Sequence, residues 1–151
     1  MKNFSIIIVM LCVVFFSSTA FADNNWVWLH SDNVSTIYVN NNSIRRDTKQ
    51  SGYVFYAVLK AVLTDAGRAK WIETMRSQGI TGIQNLSHIT YLQYYKSDNG
   101  NKYYSTGRVV FFDYNGNKIK EINKRNLDWG RISPGDVEET LFDNIRARVP
   151  N

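Results

Sequence analysis

Residues 87–123 read SHITYLQYYKSDNGNKYYSTGRVVFFDYNGNKIKEIN, and this stretch predicts the architecture of the chain. Apolar and aromatic residues dominate its segments 87–96, 102–114 and 118–123, which is typical of β-strands. Asn-Gly dipeptides separate the segments at 99–100 and 115–116. Asn-Gly favours a hairpin turn of type I′, because that turn needs positive φ at both central residues. We therefore expect an antiparallel meander of three strands.

Further strands are predicted upstream of the meander. Residues 26–30 and 36–39 are short segments of β-forming residues with turn residues between them. Residues 53–63 form a longer run that is apolar on both faces, interrupted only by Lys60. Such a strand is expected to be covered on both sides or to lie centrally in its sheet. Together with the meander, these segments predict a single antiparallel sheet of about five to six strands.

A first helix is predicted over residues 66–78. Thr64 and Asp65 stand where an N-cap is expected, and Ala69, Ile72 and Met75 share one helical face. Gly79 follows the helix, where a left-handed C-cap residue is favoured.

A second helix closes the predicted fold. Ser133 is expected as its N-cap, Pro134 as its first helical residue and Asp136 as the partner in a capping box. The apolar stripe recurs at four-residue spacing and is widened by one aromatic ring: Val137, Leu141, Ile145, Val149 and Phe142. The polar face is expected to be solvated and to carry Glu138, Glu139 and Asp143. The predicted fold class is α+β, with this C-terminal amphipathic helix and one further helix packed on the sheet.

Residues 1–22 have the pattern of a secretory signal peptide. Lys2 precedes an apolar run over 4–16, and Ala20-Phe21-Ala22 is a pattern that signal peptidase accepts. We expect cleavage near Ala22, leaving residues 23–151 as one domain in the periplasm, on the cell surface or secreted. That domain holds no apolar run long enough to span a membrane.

The single cysteine lies within the predicted signal peptide, at Cys12. Without it the mature chain has no disulfide, thiolate ligand or cysteine nucleophile. The formal net charge of +5 is spread along the chain without a polybasic tract, so nucleic acid is not an expected partner.

No motif predicts catalysis. The chain has neither a Gly-x-Ser-x-Gly elbow, nor a glycine-rich phosphate loop, nor a His-x-x-x-His pair. Its histidines, His30 and His88, each stand alone on a predicted strand. We therefore predict a protein that is not an enzyme and that uses no cofactor or metal. A carrier or hydrolase acting through these histidines is a lower-ranked alternative.

Aromatic residues are abundant on the predicted strands. All 9 Tyr and all 4 Trp lie after residue 22. Many of them are expected in the core or in cross-strand pairs. Two helices cannot cover aromatic side chains on both faces of a sheet, so we predict an exposed tyrosine-rich binding surface. Its candidate residues are Tyr53, Tyr91, Tyr94, Tyr95, Tyr103 and Tyr104. The expected partner is a protein, a glycan or a second copy of the chain in a homodimer.

Several segments carry a resemblance to a known family: WVWL at 26–29, TIYVN at 36–40, ITYLQYY at 89–95 and ISPGD at 132–136. From about residue 26 to residue 149 the chain resembles the surface-adhesin protein E family of exported bacterial proteins. The resemblance implies an antiparallel sheet with a C-terminal helix packed on it. It also implies adhesion, because the best-known members are outer-surface adhesins that bind host extracellular-matrix proteins. Some members carry a lipid-attachment cysteine and a disulfide, and this chain has neither after the expected cleavage.

The sequence thus favours an exported, non-enzymatic binding protein of the cell envelope. In the first hypothesis it is an adhesin for a host matrix protein or a glycan. In the alternative it is a periplasmic structural or assembly factor.

Overall fold

The structure is a computed structural model that describes residues 25–50 and 52–150, so the predicted signal peptide lies outside it. The described residues form two α-helices, α1 (Asp65–Ser77) and α2 (Val137–Arg146), and one short 3-10 helix (Asn41–Ser43). The strands are β1 (Trp26–Ser31), β2 (Ser35–Asn40), β3 (Arg45–Asp47), β4 (Tyr53–Leu63), β5 (Leu86–Asp98), β6 (Asn101–Asp113), β7 (Lys118–Asn123) and β8 (Gly130–Arg131). All belong to one sheet in the order β1-β2-β4-β5-β6-β7, with β3 paired to β4 and β8 paired to β6. Every pairing is antiparallel.

The predicted α+β class is confirmed, and the sheet is somewhat larger than predicted. The additional strands are β3, of 3 residues, and β8, of 2 residues. Both are too short to show a hydrophobic alternation. Each pairs with part of one longer strand, β3 with β4 and β8 with β6. The long strands β4, β5 and β6 agree with the predicted segments to within two residues.

Both helices pack on the same face of the sheet, which we call the inner face. On β4, Phe55, Ala57 and Leu59 point to this face and are fully buried. Phe142 of α2 contacts Phe55, with ring centroids 5.1 Å apart. Trp71 of α1 meets Phe111 of β6 edge-on at 6.2 Å. Neither helix crosses the opposite face, which we call the open face.

The predicted caps of α1 are confirmed. The Thr64 hydroxyl accepts the backbone N–H of Gly67 at 3.0 Å, and the helix is followed by Gly79 at φ +73°. The N–H of Ile80 then donates to the carbonyl of Met75 at 2.9 Å, as in a Schellman motif. Gly67 has a further role, because a Cβ there would overlap the backbone carbonyl oxygen of Val34. The glycine therefore allows α1 to lie close against the loop between β1 and β2.

The predicted start of α2 is wrong. The helix begins at Val137 with Asp136 as its N-cap, because Gly135 has φ +87° and interrupts helical geometry after Pro134. Asp136 still accepts the backbone N–H of Ser133 at 3.2 Å. That bond is one half of the predicted capping box, formed here within a turn that precedes the helix.

Both predicted hairpins are present, but only one has the type I′ turn. Asn99 and Gly100 both have positive φ, at 48° and 78°. At the other hairpin Gly116 has φ +79°, whereas Asn115 is not in the left-handed region. There the Asp113 carboxylate accepts the backbone N–H groups of Asn115 and Asn117 at 2.9 and 2.8 Å. These bonds hold a longer loop closed by a left-handed glycine.

Candidate functional site

The tyrosines predicted as one binding surface are divided between the two faces of the sheet. Tyr53, Tyr91, Tyr95 and Tyr104 belong to the inner face, where they pack with the core under α2. Tyr95 is fully buried there. Tyr94 and Tyr103 belong to the open face; Tyr94 contacts Tyr56 across the strands at 5.5 Å. The structure brings Tyr91 and Tyr104 together in the wall of a cavity.

This cavity lies on the inner face between α1 and α2 and has a volume of about 380 Å³. Pockets of roughly 300–1,000 Å³ hold small ligands. Trp71 of α1 and Glu138 of α2 close it from above, and strands β2, β4, β5 and β6 form its floor. The floor residues are Ser35, Ile37, Ala61, Ile89, Tyr91, Gln93, Tyr104, Thr106 and Val109.

Glu138 is the carboxyl group of this cavity. Burial raises its pKa to about 7, although the Tyr95 hydroxyl favours the ionised form through a long hydrogen bond of 3.4 Å to Oε2. Nearby Asp136 raises the pKa further, because two carboxylates repel each other. A carboxyl group with such a pKa changes its protonation state around neutral pH.

The expectation that Glu138 lies on the solvated face of the helix is wrong. At ~100° per residue, position 138 falls inside the arc that runs from Val137 to Phe142, which is the buried stripe. Glu139 does match the expectation. Its pKa is lowered, first by the backbone N–H of Gly135 and then by Lys102, whose Nζ lies 3.1 Å from Oε1.

Gln93, in the floor of the same cavity, has an unsatisfied amide group. Its side chain is 1% exposed, and Thr106 Oγ1 donates to Oε1 at 2.8 Å. The Nε2 group has no hydrogen-bond partner. Buried amide groups are nearly always paired, so Nε2 is an exception, and its burial closes it off from molecules in the cavity.

The open face carries aromatic rings with cationic side chains lying over them. Lys60 Nζ lies 4.3 Å from the centroid of Trp26, and Lys96 Nζ lies 4.5 Å from that of Trp129. Such cation–π contacts hold the rings and the charges at fixed positions. Trp28, which lies opposite Tyr38 on β2, is 59% exposed.

A groove of about 640 Å³ lies beneath the loop between β7 and β8, and its lining includes Tyr94 and Leu127, each two residues from Lys96 or Trp129. Arg108, Lys124 and Arg125 line it, with Asp47 as the carboxylate among its lining residues. Arg108 also forms an ion pair with Glu121 at 2.9 Å. The groove therefore favours anionic groups.

The histidines occupy separate strands, β1 and β5, which are not neighbours in the sheet. His88 stacks on Phe112 at 4.8 Å, and its pKa is lowered by burial and then by Lys60. His30 Nε2 lies 3.7 Å from a carboxylate oxygen of Asp32. Within residues 25–50 and 52–150 no group of three or more His, Cys, Asp or Glu residues could hold a metal ion.

In the described part of the chain, neither helix has the length and hydropathy needed to cross a membrane. Comparisons of the chain with protein-family models, with curated proteins and with solved structures find no match. The resemblance to the surface-adhesin protein E family stays a prediction. Function is therefore inferred from the open face and the cavity.

Proposed function

We propose that this is an exported, non-enzymatic binding protein of the cell envelope that binds an acidic glycan with its open face. One observation carries the proposal. A sheet face that neither helix crosses presents aromatic rings, with Lys60 and Lys96 held over Trp26 and Trp129. The exposed ring of Trp28 provides a flat apolar platform for the C–H face of a sugar, and the cations over Trp26 and Trp129 attract carboxylate or sulfate groups.

The groove beneath the loop between β7 and β8 supports an anionic partner over a neutral one. Lys124 and Arg125 lie at its rim with Arg108, whereas Asp47 is the carboxylate among its lining residues. A chain of charged sugars could therefore run from the groove towards Lys96 over Trp129. A protein partner is the competing possibility on the same face.

Isothermal titration calorimetry with dextran sulfate and unmodified dextran tests the proposal, because the two polymers share a backbone and differ in charge. We expect dextran sulfate to bind and dextran not to bind. Raising the salt concentration should weaken binding, because the Debye length falls from ~10 Å at 0.1 M to ~3 Å at 1 M.

Variants at the open face locate the site. Lys96→Gln and Arg125→Gln should each weaken binding of dextran sulfate several-fold. Lys70→Gln is the matched control, since Lys70 is exposed on α1 at the other face of the sheet. Equal losses in all three variants would contradict a specific site. Binding to an immobilised matrix protein without any affinity for dextran sulfate would contradict the glycan and favour the protein partner.

A further inference from the structure

We propose that the cavity between α1 and α2 is a second binding site, and that it takes a small aliphatic ammonium ion. The site is independent of the proposed glycan surface, because it lies on the inner face of the sheet. Its carboxyl group and its aromatic and apolar walls together define the ligand.

The walls match an organic cation. Trp71, Tyr91 and Tyr104 contribute aromatic rings, and the electron-rich faces of such rings attract cations. Ile37, Ile89 and Val109 add apolar surface for a short hydrocarbon chain. An ammonium group with a few methylenes matches both kinds of wall.

Charge selects a cation over an anion. Glu138 is the acidic residue among the lining residues, and no Lys, Arg or His is among them. A carboxylate taken from water without a counter-ion is costly, and a bound ammonium ion would supply that counter-ion.

Two cationic side chains near the cavity form ion pairs with other carboxylates. Lys102 pairs with Glu139 and Asp143, at 3.1 and 2.8 Å. Arg68 of α1 pairs with Asp65 at 2.9 Å. Asp136 and the hydroxyl of the buried Tyr95 also face Glu138, and the half-buried Tyr91 and Tyr104 line the same cavity. On β1, which packs against α2, His30 Nε2 lies 3.7 Å from Asp32. Burial and then Glu138 raise the pKa values of Tyr91 and Tyr95, so both hydroxyls stay neutral.

Gln93 forms part of the floor of the cavity, but its amide is already placed: Oε1 accepts from Thr106 and Nε2 is buried away from the cavity space. Glu138 is therefore the group that a ligand's charge would meet. The chemical class is a short aliphatic amine.

The test uses n-butylammonium, 1-butanol and butyrate, which have similar size and differ in charge. Binding to the mature chain is followed by the NMR shift of the Trp71 indole N–H and by calorimetry. We expect n-butylammonium to bind and the other two not to bind. Its affinity should rise about tenfold from pH 6 to pH 8, because a carboxyl group of pKa about 7 ionises over that range while the amine stays protonated.

Glu138→Gln should weaken n-butylammonium binding by about tenfold or more, since it removes the charge and retains the shape. Glu139→Gln is the matched control, because Glu139 lies one residue away and pairs with Lys102 outside the cavity. Tighter binding of 1-butanol or butyrate than of n-butylammonium would overturn the proposal. A wild-type affinity for n-butylammonium that does not change with pH would also overturn it. That measurement does not depend on whether any variant folds.

Discussion

Replacing Glu138 by Gln should stabilise the protein in a manner that depends on pH. The carboxyl group has a pKa of about 7 in the folded chain and an ordinary value of 4.5. The folded state therefore holds the proton more tightly than the unfolded state. Stability is then lost as the pH rises from about 4.5 through about 7, because unfolding releases a proton over that window.

The magnitude follows from the size of this pKa difference. Each pKa unit corresponds to about 1.4 kcal/mol, which sets an upper limit of about 3 to 4 kcal/mol for the loss. The side chain keeps some contact with solvent in the cavity, so we expect about 2 kcal/mol. Glu138→Gln should accordingly match the wild type near pH 4.5 and exceed its free energy of unfolding by about 2 kcal/mol at pH 8.5.

Urea unfolding followed by circular dichroism, repeated at several pH values from 4.5 to 8.5, measures both curves. Glu139→Gln is the control with the opposite sign. Its pKa is lowered by Gly135 and Lys102, so the wild-type carboxylate stabilises the fold above its ordinary pKa and loses that effect as the pH falls. If the curves of the wild type and Glu138→Gln ran parallel from pH 5 to 8.5, the assignment of Glu138 as a buried carboxyl group would be refuted.

Two further predictions concern the inner packing and the open face. Gly67→Ala should lower the free energy of unfolding in urea by about 1–3 kcal/mol, because the new Cβ would overlap the carbonyl of Val34. Helix propensity alone predicts the opposite, a more stable variant, and that result would contradict the packing argument. His88 should titrate in NMR below its ordinary pKa of 6.5, because burial and Lys60 favour the neutral ring, and the fold should lose stability as the pH falls below 6.5. A midpoint at or above 6.5 would contradict the burial of this ring against Phe112.

The elements that local signals specify were predictable from the sequence. Residues 53–63 are predicted without error at either end because β-forming residues fill the run between polar neighbours. The caps of α1 were equally clear, since Thr64 and Gly79 serve there in their preferred roles. The start of α2 was not, because Ser133-Pro134 suits both a helix start and a turn. Only the positive φ of Gly135 decides between them.

The candidate site was less accessible to prediction, for two physical reasons. Adjacent residues of a strand point to opposite faces, so Tyr94 and Tyr95 could not share a surface, and this signal was present in the sequence. The sequence also contained the signal for Glu138, because its helical position falls within the apolar stripe of α2. The cavity itself depends on how far α1 lies from α2, and that distance is set by tertiary packing such as the contact between Gly67 and Val34.

The packing of α2 on β1 brings together the two ends of the described chain. Most strands pair with a neighbour in sequence, and such local pairings form early at a small cost in loop entropy. The contact between the first strand and the last helix encloses nearly the whole described chain, so it is entropically the most expensive to form. Glu138 reaches the sheet only when α2 docks. Because both helices and four strands line the cavity, a ligand bound there would favour the folded state over the unfolded state.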